Sequence, residues 1–296
     1  MNELISIIIP VFNRRKNLEL TLYALEKQSD KDFEVIVVDD GSTDNTGNWL
    51  KKNKFPFDLK YHYMGENQGY RQCKARNMGV RLSNNSIGFV FLDSDVLLEP
   101  DTIEKYRKHY ERNKHRVVCG MYFWGSPVET TKENIDDFPS LFKETRPNIP
   151  NAQPHGMQGV DIRLELFNST TPDELHWKIG TYLSCFGGNL FVPRHIFMDV
   201  AQGQIEANPK ENTNPYCGFD EHYTAPVEDG DFGLMLMKRG WAVSLDKTIY
   251  AYHVWHGRNL KQIKEVSDTQ VKYLDEKYKI NVLDETKIIQ REEYKL

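Results

Sequence analysis

Four strand-sized runs, "LISIII", "FEVIVV", "LKYHYM" and "IGFVFL", alternate with helical patterns over the first 120 residues. The first run is followed by a helix in which Leu18, Leu22 and Leu25 fall on one face, and the second by the turn "DDGSTDNT" and a short helix. The third precedes a helix from about Arg71 to Leu82, and the fourth a helix near Thr102 to Arg112. This exchange of periods predicts βαβ units. Strands written as continuous apolar runs belong in a sheet buried on both faces. The expectation is an α/β protein with a mostly parallel central sheet and helices on both faces.

Such sheets bind ligands outside the carboxyl ends of their strands. The polar residues after each strand should therefore converge on one rim: Pro10, Val11, Phe12 and Asn13 after the first, Asp39 and Asp40 after the second, and Asp93 to Asp95 after the fourth. In "FVFLDSDVLLEP" a strand that reads as dry ends in two carboxylates. Strand alternation puts Asp93 and Asp95 on one face, where their charges repel unless a cation lies beside them. A divalent metal would remove that cost. An ordinary turn ahead of a helix near Pro100 and Asp101 accounts for the same residues.

The other boundaries are compositional. A chain of 296 residues can bury a sizeable core, and a net charge of -5 argues against a general nucleic-acid binder. Its apolar runs are far shorter than the roughly 20 residues that cross a bilayer, and the N-terminus lacks the features of a signal peptide. Cys73, Cys119, Cys185 and Cys217 show no paired spacing, which fits a reducing, cytoplasmic setting. No G-x-G-x-x-G follows the first strand and no P-loop is present, which counts against dinucleotide enzymes and P-loop ATPases. A sugar nucleotidyltransferase would carry a Gly-rich loop where this chain has "PVFNRRKN".

Between about Tyr122 and Thr181 the rhythm stops, and "RPNIPNAQPHG" reads as part of an insertion. A second half follows to about residue 257, and a charged amphipathic helical tail from Leu260. Trp124 and Trp177 in the insertion are candidates for an acceptor wall or for core.

Taken in order, "SIIIPVFNRRKNLELTL", "FEVIVVDDGSTDNT", "GYRQCKARNMGV", "FVFLDSD", "GFDE" and "VEDGDFGLMLMKRGW" resemble the motifs of family 2 glycosyltransferases. The resemblance covers roughly residues 4 to 256 and implies a GT-A fold with a Rossmann-like sheet over residues 1–257. Its nucleotide-binding half would be about 1–121, the insertion 122–181 and the acceptor half 182–257, with 258–296 the tail. By this likeness the loop at Pro10, Val11 and Asn13 and the carboxylate of Asp40 hold the nucleobase, with Asp39 bracing the turn. A carboxylate accepts the imide N–H of uracil well, which points to a UDP-sugar. The same turn could instead serve as a helix cap through Ser42 or Thr43. Arg71 and Arg76 are placed to meet the base or the diphosphate.

The "DSD" stretch looks like the family's D-x-D motif. Asp93 would contact the ribose or the metal edge, and Asp95 would bind Mn2+ or Mg2+. His253 matches a metal-binding histidine, with His256 the alternative and packing beside Trp255 the structural reading. The "ED" stretch supplies the catalytic pair, Asp229 as base with Glu228 beside it. Those acids, with Asp231, also suit the first turn of a helix. Gly187, Gly188 and Asn189 look like the segment that meets the donor sugar. The implied activity is metal-dependent, inverting transfer of a hexosyl or N-acetylhexosaminyl group to a carbohydrate, glycolipid or protein acceptor. A nucleotide-sugar-binding module without chemistry and a sugar nucleotidyltransferase are the alternatives.

Overall fold

Alternation along the strands decides the layering. In the computed structural model, which describes residues 4–125, 129–143, 171, 185–224, 227–256 and 260–279, the elements follow the expected βαβ order. Strands β1 (Ile5–Val11), β2 (Phe33–Asp39), β3 (Asp58–Tyr63) and β4 (Gly88–Leu92) alternate with helices α1 (Arg15–Glu26), α2 (Thr46–Lys52) and α3 (Gln72–Leu82). Next come β5 (Val96–Leu98), α4 (Thr102–Arg112), β6 (Arg116–Trp124) and the short helices α5 (Lys132–Asp136) and α6 (Phe138–Lys143). The second half holds β7 (Asn189–Pro193), α7 (Arg194–Ala207), α8 (Glu228–Lys238), β8 (Ala242–His253) and α9 (Leu260–Tyr278).

The sheet has eight strands in the order β3-β2-β1-β4-β7-β6-β8-β5. Pairing is parallel from β3 through β4, whereas β7 is antiparallel to both β4 and β6, and β5 is antiparallel to β8. Strand β6 runs parallel to β8. The expectation of a mostly parallel sheet holds, with every antiparallel pair involving β7 or β5. Chain direction reverses between β1, which leads outward to β2 and β3, and β4, which leads the other way. That junction is where an open α/β sheet binds ligands, and the "DSD" stretch leaves β4 there.

Successive residues of each strand serve opposite layers, as the pleat demands. Ile8, Ile36, Val38, Phe89 and Phe91 face the side of α3, α7 and α8, while Ile5, Ile7, Ile9, Val35, Val37, Val90 and Leu92 face the side of α1 and α4. In the first layer Phe219 stacks on Phe232 at 4.7 Å and meets Phe91 edge-on at 4.9 Å. These rings tie the "GFDE" segment and α8 to the central strand, each burial contributing about 1.5–3 kcal/mol. The C-terminal helix is more than an appendage, because Leu274 of α9 is buried in this same layer. Trp177 lies outside the described residues, while Trp124 ends β6 with its ring 4.3 Å from that of His253.

Candidate active site

The loops after β1 and β2 are stitched together before any ligand arrives. Asn13 takes a left-handed φ of 50°, a conformation Asn tolerates better than most residues. Its N–H donates to Ser42 Oγ at 2.9 Å and its Oδ1 accepts the Thr43 N–H at 2.8 Å. Ser42 and Thr43 therefore bind the neighbouring loop, and Asp44 accepts the Thr46 N–H at the start of α2 instead. Val11 gives its carbonyl to the Asp40 N–H at 2.9 Å. Pro10 faces the other way, where the β1–β4 ladder has ended at Ile8, so its missing N–H costs nothing.

Asp39 does brace the turn: it accepts the Ser42 N–H at 2.7 Å and the Tyr61 hydroxyl at 2.9 Å. Asp40 is nearly buried, and Arg71 donates to its Oδ1 from Nε at 2.6 Å. Burial pushes the Asp40 carboxyl above its ordinary value, against the opposing pull of Arg71.

Arg76 organises the next part of the rim. Its side chain is 1% exposed; Nη1 donates to Glu228 Oε1 at 3.0 Å and Asp229 Oδ1 at 2.8 Å, and Nη2 to Asp93 Oδ1 at 3.1 Å. Its guanidinium lies 5.0 Å from the Phe219 ring. Burial alone would ease the proton off, but Asp229, Asp93 and Glu228 hold it on well above the ordinary range. Arg76 thus faces carboxylates of the chain where a base or diphosphate contact was expected. Glu228 is 2% exposed, and desolvation, reinforced by Asp229, pushes its pKa up to about 8. Asp93 keeps 32% of its side-chain surface open, yet dense surroundings raise it to about 6, with Arg76 pulling down and Asp95 and Asp229 pushing up.

Asp95 belongs to a different cluster. Its Oδ2 lies 2.8 Å from His256 Nε2 and its Oδ1 3.5 Å from His253 Nε2. The antiparallel register Val96↔His253 brings these residues together, and one ligand atom from each falls within 4.8 Å of the others. One carboxylate oxygen and two imidazole nitrogens make a donor set that could hold a divalent metal ion. His253 Nδ1 donates to the Val254 carbonyl at 3.0 Å, and its Nε2 faces Asp95. Arg14 Nη2 reaches His256 Nδ1 at 3.3 Å.

Two expectations need correction. Asp93 and Asp95 do not share a strand face, because "DSD" is a tight turn closed by the Val96 N–H on the Asp93 carbonyl at 3.2 Å. Asp93 points to Arg76 and stands apart from the Asp95, His253 and His256 cluster. Asn189 does not present its side chain to a donor sugar: it is fully buried, accepting the Tyr106 hydroxyl at 2.7 Å and donating to the Met121 carbonyl at 3.1 Å. Gly187 and Gly188 do allow close approach, but to the chain's own side chains. A Cβ on Gly187 would lie 2.6 Å from Asp229 Oδ1, and one on Gly188 2.6 Å from Asp93 Oδ2.

Sequence reasoning missed Gln72 and Tyr70. Gln72 donates to Asp93 Oδ1 at 3.2 Å, and its i,i+4 spacing from Arg76 was a signal that both share one helix face. The Tyr70 hydroxyl lies 3.0 Å from Glu228 Oε1.

Comparison with known proteins gives the family and the fold. A glycosyltransferase of Bacillus subtilis (strain 168) described as uncharacterized, YfnE, is 27% identical over 286 residues, covering 92% of this chain and 70% of that protein. The chondroitin synthase of Pasteurella multocida (strain Pm70) is 29% identical over 255 residues, 84% of this chain but only 24% of the synthase. The crystal structure of S. aureus TarS 1-349 in complex with UDP-GlcNAc superposes with a TM-score of 0.57 at 18% identity, over 88% of this chain and 64% of that one. The fold is the GT-A glycosyltransferase fold. The family described as glycosyl transferase family 2 matches residues 6–191, and the chain belongs to it.

Proposed function

We propose that this protein transfers a hexosyl or N-acetylhexosaminyl group from a UDP-sugar to an acceptor hydroxyl, with inversion at the anomeric carbon. One observation carries the reading: Arg76 joins Asp93 to Asp229, so the carboxylate at the donor end of β4 and the candidate base share one guanidinium. The complex of the TarS neighbour with UDP-GlcNAc supports the choice of donor class.

In this reading Asp39 and Asp40 shape the nucleobase pocket, with Arg71 holding Asp40 in place. Asp95, His253 and His256 would hold Mn2+ or Mg2+, which when bound offsets the charge on the leaving diphosphate. Asp229 accepts the proton of the acceptor hydroxyl while that oxygen bonds to the anomeric carbon and the bond to the diphosphate breaks. The nucleoside diphosphate leaves with that electron pair. Glu228, neutral near pH 7, keeps its charge from competing with Asp229 for Arg76.

The test is release of UDP from a panel of UDP-sugars with Mn2+, Mg2+ or a chelator, for the wild type and Asp95→Ala. Metal-stimulated release that Asp95→Ala abolishes is expected. UDP binding without release above the chelated control would leave a binding module. NMR of the product glycoside should show the anomeric configuration opposite to the donor's; retention would exclude the single displacement.

A further inference from the structure

Lys277 of α9 is 5% exposed and stands between two carboxylates: Nζ lies 2.7 Å from Asp220 Oδ2, 2.6 Å from Asp231 Oδ1 and 2.7 Å from Gln204 Oε1. Both carboxylates are fully buried. Asp220 also accepts the Tyr273 hydroxyl at 2.9 Å, and Asp231 the Tyr223 hydroxyl at 3.1 Å and Gln204 Nε2 at 2.5 Å. Burial alone would raise Asp220, yet the Lys277 ammonium holds its carboxyl below the ordinary range. Leaving such carboxylates without their cation is strongly unfavourable, so α9 must stay docked while they are ionised.

The direction of this grip matters. Asp231 follows Asp229 by two positions on α8, and at about 100° per residue such positions point to nearly opposite sides of a helix. Two cations therefore hold the first turn of α8, Arg76 through Glu228 and Asp229 and Lys277 through Asp231.

We propose that Lys277 is a positioning residue for the candidate base: by holding Asp231 on the far side of α8, it fixes the rotation that aims Asp229 at the acceptor hydroxyl. The inference rests on the reading of Asp229 as the base. Misplacing a reacting group by about 1 Å can cost about 10²-fold in rate.

Lys277→Met, Lys277→Arg and the double variant Lys277→Met/Asp231→Asn, made in the full chain, test it. The double variant keeps the buried net charge of the wild type. Turnover, donor KM, UDP affinity and hydrogen exchange of peptides over 228–238 are measured. Lys277→Met should lose about 10²-fold in kcat with donor KM and UDP affinity little changed, and exchange in α8 should quicken. Lys277→Arg should recover most of both, whereas the double variant, which restores the buried charge but not the grip on Asp231, should stay low in kcat. Wild-type turnover and exchange in Lys277→Met would overturn the proposal, as would full recovery of turnover in the double variant. Should the wild type release UDP from no donor, the transferase reading fails by itself. Exchange in α8 then still decides whether Lys277 holds that helix.

Discussion

Arg76 shares one positive charge among Asp93, Glu228 and Asp229, and burial of Glu228 favours its protonated form, which eases that sharing. Asp229→Asn keeps the shape of the side chain and removes its basicity, so turnover should fall about 10²–10⁴-fold. UDP affinity, measured by calorimetry, should hold, since Asp40 and Asp95 are untouched. Glu228 also leaves a mark on stability. Its folded pKa of about 8 stands above the ordinary 4.5, so its contribution is fully present below 4.5 and is lost as pH rises toward 8. Glu228→Gln cannot ionise and should escape that loss. Its urea midpoint relative to wild type should therefore climb between pH 5.5 and pH 8, and a constant difference would show that Glu228 is not held neutral.

Among the elements, the pairing of β4 with β7 sets the working distances, because the register Leu92↔Asn189 lays Gly188 against Asp93. A Cβ at 188 would meet the Tyr122 hydroxyl at 2.1 Å. Gly188→Ala should therefore cost about 1–3 kcal/mol in overpacking and displace Asp93, lowering both the melting temperature and turnover. Gly65→Ala is the control: at φ 86° with no neighbour within 4 Å, it should cost about 1–2 kcal/mol of backbone strain and leave activity alone. The same pairing explains what sequence could and could not reveal. Apolar runs and helical spacing located β1 to β4 and α1 to α4, and the family resemblance pointed to the brace at Asp39. Asn189 was misread because its partner Tyr106 lies on α4, 83 residues away in sequence. At Asp93 the turn that the sequence also allowed holds in place of strand alternation, and a distant arginine orients the side chain.

For the molecule as a whole, the candidate nucleotide pocket draws on loops from the first 100 residues, while the candidate metal site and the proposed base need residues beyond 227. UDP with Mn2+ at 100 times its dissociation constant should stabilise the folded protein by about 2.7 kcal/mol, seen as a rise in melting temperature. Asp95→Ala should reduce that rise with Mn2+ present, and an equal rise with and without the metal would separate the cluster from nucleotide binding. Strand β5 has a further consequence for the order of assembly. It pairs with β8, whose residues are made about 150 positions later. At about 5–20 residues per second, a ribosome takes roughly 8–30 s to cover that interval. During synthesis the nascent chain therefore carries Asp95 through that interval before His253 and His256 emerge together with β8 and the residues just after it. A chain released before β8 would therefore keep Asp95 and the loops after β1 and β2 but lack both histidines of the candidate metal site.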